Sequence, residues 1–171
     1  MDLYLMRHGI AVPREQHSTL ADAERPLTEE GIRKTREVAR GLTQLGVACE
    51  RIFSSPLVRA RQTAEITARV LGIDDRVEEW PELGAGGSND TLLDRLRSVA
   101  RSKGLEAALL VGHEPQLSEL TSLLLSGTQN LSVDFKKAAV CCLQVAAALK
   151  RGEALLRWFL TPKQLRLLGK G

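Results

Sequence analysis

Strand-like and helix-like stretches alternate along this chain, which predicts an α/β fold: a three-layer α/β/α sandwich on a mostly parallel central sheet. Three observations carry that expectation. Short apolar runs precede longer amphipathic stretches, most of those stretches stop at a glycine, and the last two strand-like runs follow one another with no helix between them. The final pair therefore reads as an antiparallel hairpin at one side of the sheet.

Leu3 to Met6 is a short apolar run delivered into Arg7-His8-Gly9, which reads as a strand ending in a tight turn and is expected near the sheet centre. Ile10 to Leu27 holds two prolines and many polar residues, and a loop that long is expected to be functional or mobile and to lie over something. Thr28 before Glu29, Glu30 and Gly31 looks like an N-cap with acids in the first turn, opening a helix to about Leu45 that Gly46 stops. Arg51 to Ser54 repeats the strand signal. Ser55 and Pro56 then suit the cap and first residue of a helix from Leu57 to Leu71, ended by Gly72.

A third unit comprises a short strand from Val77 to Trp80, a loop from Pro81 to Asn89, and a helix from Asp90 to Ser102 with Gly104 after it. In the fourth, Ala107 to Val111 is a buried-strand run, Gly112 turns it, and Pro115 fits the first turn of a helix to about Leu125. Ala138 to Ala147 and Glu153 to Phe159 form the hairpin through Arg151-Gly152, and Thr161 to Leu168 is a short docking helix. The expectation is a single domain over residues 1–171.

The chain has 171 residues, 43% hydrophobic, enough to hold a core without disulfides, metal or an obligate partner, so a monomer is expected. Its longest nearly apolar run, Ala138 to Leu149, falls short of the ~20 residues of a membrane helix. With no signal-peptide pattern at the start either, the expected compartment is the cytoplasm. The net charge of +3 is unevenly placed: from Lys150 onward there are six basic residues and one acidic, and the preceding chain is slightly acidic. That distribution, with 4% aromatics, argues against a nucleic-acid partner. Cys49 stands alone and Cys141 and Cys142 are strand neighbours facing opposite sides, so the three read as free buried thiols.

In open α/β sheets ligands bind beyond the carboxyl ends of the strands. Arg7-His8, Ser55 with Arg59 one turn further on, and His113 all fall there. Helix N-termini point their N–H groups at the same edge, so two guanidiniums, two imidazoles and the helix ends converge on an anion. A phosphoryl group is the simplest such anion, because arginine offers it planar paired donors. Other polar features read as ordinary surface. His17 lies in a polar loop without motif context, Arg61 and Arg69 are solvated, and Arg14 and Arg25 are either surface charges or residues at the cleft mouth. The Gly84-Ala85-Gly86-Gly87 segment lacks the last glycine of a nucleotide fingerprint, where Asn89 stands.

These residues resemble the histidine phosphatase superfamily of phosphoglycerate mutase-like proteins over nearly the whole chain. Arg7-His8-Gly9 is similar to its R-H-G signature, Ser54 to Ala64 to its S-P-L-x-R-A-x-Q-T-A segment, and Gly112-His113-Glu114-Pro115 to its second histidine motif. The short length, the Arg25-Pro26-Leu27-Thr28-Glu29-Glu30-Gly31 segment and the G-H-x-P-x-L form of the last motif resemble the phosphohistidine phosphatase SixA-like branch. That resemblance implies His8 as the nucleophile, forming a covalent phosphohistidine intermediate, with Arg7, Arg59 and His113 on the phosphoryl oxygens. Ser55 is a helix cap first and a phosphate ligand second. No cofactor is expected and no metal, since the arginines supply the charge, and a phosphohistidine-carrying protein is the implied substrate. Little chain between Arg59 and His113 is left over for a lid, so a minimal fold with a shallow cleft is expected. Glu82, in Trp80-Pro81-Glu82-Leu83-Gly84, is the candidate proton donor, and with it the chain would be a small-molecule phosphomonoesterase. A non-catalytic phosphoprotein-binding module is the third reading.

Overall fold

Burial on both faces of the central strands explains the layering. The computed structural model describes residues 1–16, 21–84, 86–146 and 148–170; His17 lies outside them. In β1 (Asp2–Arg7), Leu3 and Leu5 belong to one apolar cluster, and Tyr4 and Met6 to another. The same division separates Ala108 and Leu110 from Leu109 and Val111 in β4 (Ala107–Gly112), and Cys141 and Leu143 from Val140 and Cys142 in β5 (Val140–Gln144). Successive side chains on a strand face opposite ways, so each strand feeds two cores and must be covered on both faces. All three cysteines are free and buried, with Cys141 and Cys142 in different cores.

The sheet has six strands in the order β3-β2-β4-β1-β5-β6. The parallel part comprises β3 (Val77–Glu79), β2 (Arg51–Ser54), β4 and β1, while β5 runs antiparallel to β1 and β6 (Leu155–Leu160) antiparallel to β5. β1 is interior, between β4 and β5. On one face lie α1 (Glu29–Gln44), α2 (Val58–Leu71) and, packed on α1, α5 (Pro162–Leu168). On the other lie α3 (Asn89–Lys103) and α4 (Gln116–Ser126), whose leucines pack with Phe53 and Trp80. The fold is the α/β sandwich expected from the alternation.

Local chemistry sets the boundaries. The Thr28 hydroxyl accepts from Gly31 N–H to cap α1, and Gly72 and Gly104 end α2 and α3 in the left-handed conformation. The Thr161 and Gln164 side chains close a capping box on α5. Three expectations are corrected. α2 begins at Val58 with Leu57 at its cap, since Ser55 and Pro56 remain in the turn, where the Ser55 hydroxyl accepts from Leu57 N–H at 3.2 Å. Pro115 sits at the cap of α4 rather than inside it. β5 is shorter than the apolar run, which continues past Gln144 into a turn; Ala147, its expected end, lies outside the described residues.

Two glycines permit close approach rather than unusual backbone. A Cβ on Gly31 would lie 2.1 Å from the Ile10 carbonyl oxygen, so this glycine lets the loop after β1 rest on α1. A Cβ on Gly41 would lie 2.0 Å from the Leu165 carbonyl oxygen, in the seam between α1 and α5. Gly41→Ala is expected to cost about 1–3 kcal/mol in urea denaturation through this overpacking. Amide exchange should show the lost protection concentrated in α5, with β1 and β4 unchanged.

Candidate active site

The parallel register brings three strand ends to one edge. Met6 pairs with Val111, Arg7 with Gly112, and Ser54 with Val111, so the residues that follow β1, β2 and β4 emerge side by side. Arg7, His8, Arg59 and His113 line one cleft of about 370 Å³ together with Arg25, Leu57, Gly86, Glu114 and Lys137. Four of the expected residues thus share a site. His8 is 8% exposed and Arg59 6%, which places them at its floor.

The His8 ring is oriented by its neighbour. Its Nδ1–H donates to the Gly9 carbonyl at 2.7 Å; a carbonyl only accepts, so in the neutral ring the bare nitrogen is Nε2. Gly9 N–H in turn donates to the Thr63 hydroxyl at 3.0 Å, and that hydroxyl donates to the Arg59 carbonyl at 2.7 Å. The threonine of the α2 motif therefore ties the turn that carries His8 to the helix that carries Arg59. The His113 ring lies 5.0 Å from that of His8, centroid to centroid, and its Nε2 shares a 2.8 Å hydrogen bond with the Ser55 hydroxyl. Ser55 is thus linked to a histidine as well as to the turn.

Burial, then the neighbouring His113 and the charges of Arg59 and Arg7, push the His8 pKa down to about 3. Burial, then Arg59, push His113 down to about 4. Both rings are neutral at pH 7. Desolvation outweighs the arginines here, because the rings are largely shut off from water and the charged form loses most of its hydration.

Each arginine is fastened through its Nη atoms and keeps an unpartnered Nε–H. Arg7 Nη1 donates to the Phe135 carbonyl at 2.6 Å. Arg59 Nη1 donates to the Asp22 carbonyl at 2.7 Å, and its Nη2 to Asp22 Oδ2 at 3.1 Å. The Nε–H of both is buried without a partner among the described residues. Buried charged donors without acceptors are costly, and an oxyanion between them supplies what they lack. Among the described residues, no cluster of side chains could hold a metal ion.

Glu82 lies outside the cleft lining. Its carboxylate accepts from Arg95 Nη1 at 2.8 Å, and Arg95 is stacked 4.6 Å over the Trp80 ring on the α3 side. The carboxyl in the lining is Glu114, whose pKa burial raises and whose side chain accepts from Ser118 N–H at the start of α4.

A model of the histidine phosphatase superfamily (branch 1) matches residues 3–85, which include the Arg7-His8-Gly9 and Ser54 to Ala64 motifs. An uncharacterized protein of Picosynechococcus sp. is 39% identical over 150 residues, covering 86% of this chain and 87% of that one. Phosphohistidine phosphatase SixA of Escherichia coli is 27% identical over 167 residues, 98% of each chain. The chain belongs to the histidine phosphatase superfamily. A solved structure of the protein histidine phosphatase SixA complexed with tungstate is similar with a TM-score of 0.84 at 27% identity, over 96% of this chain and 99% of that one. These likenesses support a phosphatase. Among the described residues, no helix of this superfamily member is long and apolar enough to cross a membrane.

Sequence reasoning missed several contributors. Asp22 and the Phe135 carbonyl hold the arginines, Lys137 and Glu114 line the cleft, and Gly86 reaches it from the glycine-rich segment. Asp22 stands three residues before Arg25 in the long loop, and that loop's length was the available signal. Arg25 lines the cleft, whereas Arg14 is exposed.

The low histidine pKa values make stability depend on pH. Between pH ~6.5 and the folded values the unfolded chain binds more protons, so stability is complete above ~6.5 and falls on acidification by up to about 1.4 kcal/mol per pH unit per histidine. NMR titration of the ring protons should give midpoints near 3 for His8 and 4 for His113. A midpoint near 6.5 for either would show that its ring is not buried as described.

Proposed function

We propose that this protein is a metal-independent phosphatase that hydrolyses phosphohistidine on a protein partner, through a covalent phosphohistidine intermediate at His8. The observation that carries this reading is a neutral, buried His8 with bare Nε2, beside two guanidiniums whose Nε–H groups lack acceptors. Arg7, Arg59 and His113 take the phosphoryl oxygens, and Ser55 holds His113. As His8 Nε2 bonds to phosphorus, the substrate's P–N bond breaks and its electron pair leaves on the departing imidazole, which takes a proton from water. A water molecule then attacks phosphorus, the His8 P–N bond breaks, and inorganic phosphate leaves.

Phosphoryl transfer through a loose transition state needs positioning and charge more than proton chemistry, and the fixed arginines supply both. The nature of the leaving group supports phosphohistidine. An alkoxide needs general-acid help worth ~10²–10⁴-fold, and Glu82 is engaged with Arg95 outside the cleft. An imidazole leaves readily without such help. The likeness to phosphohistidine phosphatase SixA along 98% of each chain supports the same substrate class. We read residues 1–171 as one catalytic domain acting as a monomer.

Incubation with a phosphohistidine-carrying phosphotransfer domain should release inorganic phosphate. His8→Ala should abolish release, and rapid acid-free quenching should trap phosphate on wild-type His8. Glu82→Gln should leave the rate within about twofold, against the ≥100-fold loss expected for a general acid. Turnover of phosphomonoesters that Glu82→Gln abolishes, with phosphohistidine untouched, would establish the phosphomonoesterase instead. Phosphate binding without turnover of either would leave a binding module.

A further inference from the structure

The two cleft arginines share one design but take their anchors from different places. Arg7 is held by a main-chain carbonyl, that of Phe135, just ahead of β5. Arg59 is held by one residue of the long loop, Asp22, which offers its carbonyl to Nη1 and its carboxylate to Nη2. In both, the Nε–H is buried and has no partner among the described residues.

We propose that Asp22 is a positioning residue: it clamps the Arg59 guanidinium from behind so that the Nε edge is presented to the phosphoryl group. This rests on the reading of the cleft as a phosphoryl seat. An arginine side chain has many rotamers to lose, and a planar fork binds an oxyanion well only when its plane is set beforehand.

The clamp is itself braced. Asp22 Oδ1 accepts from Arg14 Nε at 2.9 Å and from Arg25 Nε and Nη2 at 2.9 and 2.7 Å. Arg25 Nη1 donates to the Val12 carbonyl at 2.7 Å, across the base of the loop. Hydrogen bonds from Arg14, Arg25 and Arg59 hold the Asp22 carboxyl well below the usual carboxylate range, so it stays ionised. The loop's far end is fixed by Leu27 N–H on Gln62 Oε1 at 2.7 Å and by the bridge between Ala11 and Leu27. Asp22 therefore does not simply follow Arg59.

A rival role is that of a surrogate anion occupying the phosphoryl seat. The two roles predict opposite signs. A seat competitor, once removed, frees Arg59 and raises the local positive charge, which tightens anion binding. A clamp, once removed, lets the guanidinium swing and weakens it. The contacts favour the clamp, because Asp22 takes the Nη atoms and leaves the buried Nε–H unpartnered.

The test is a double-mutant cycle on tungstate affinity by calorimetry, using the intact chain and checking each variant's melting temperature. Asp22→Ala should weaken binding ~10-fold, and Asp22→Asn, which keeps an Oδ acceptor, less so. In an Arg59→Ala background Asp22→Ala should cost nothing further, whereas in an Arg7→Ala background the losses should add. Tighter binding in Asp22→Ala would overturn the clamp in favour of the competitor. Losses that add with Arg59→Ala would reduce Asp22 to a loop-stabilising residue. Should Asp22→Ala not fold, Asp22→Asn in the same cycle carries the decision. Failure of the wild type to bind tungstate would remove the phosphoryl seat, and with it the clamp.

Discussion

A guanidinium that is 6% exposed and still has a donor to spare is the constraint around which this molecule is arranged. Burying a cation costs several kcal/mol unless it is paired and hydrogen-bonded. Arg59 meets that cost on one edge only. Its anchor comes from a loop 37 residues away in sequence, so the loop after β1 must cross the sheet edge and be stapled there by Arg25, Gln62 and the approach of Ile10 to Gly31. The unpartnered Nε–H is what the proposed phosphoryl seat would use. The same burial desolvates His8 and His113 and keeps both imidazoles neutral, the state in which His8 has a lone pair for phosphorus.

The two functional halves of the site rest on different kinds of support. His8 and Arg7 leave a central strand flanked on both sides by hydrogen-bonded neighbours, and the turn after them is pinned by the Thr63 hydroxyl. That part is rigid because sheet and core over-determine it. Arg59 and His113 depend on side-chain contacts, Asp22 for one and Ser55 for the other. The proposed phosphoryl transfer needs His8 fixed against the backbone and the arginine donors fixed against each other. Here the first task falls to the fold and the second to a small set of polar residues.

Much of the site was legible because its residues sit in local motifs at strand ends. Arg7, His8 and Gly9 are consecutive; Ser55, Arg59, Gln62 and Thr63 lie on one turn and one helix; His113 follows the strand that pairs with β1. Helix limits were legible wherever a cap or a left-handed glycine decides them, as at Thr28, Gly72 and Gly104. They were misread at Ser55, where the hydroxyl caps a turn two residues ahead of the helix, and in the apolar run through Ala138, where hydropathy does not reveal where strand pairing stops.

The layers, the central place of β1 and the convergence of two histidines and two arginines on one edge could be read from the residues alone, because periodicity and strand ends are local properties. Which carboxylates lie near that edge depended on packing. Glu82, close in sequence to a family-like segment, is drawn off by Arg95, and Asp22, in a loop with no motif of its own, comes to lie on Arg59. The reason is physical: a carboxylate goes where the nearest unpaired guanidinium is, and that distance is fixed by chain packing between segments far apart in sequence.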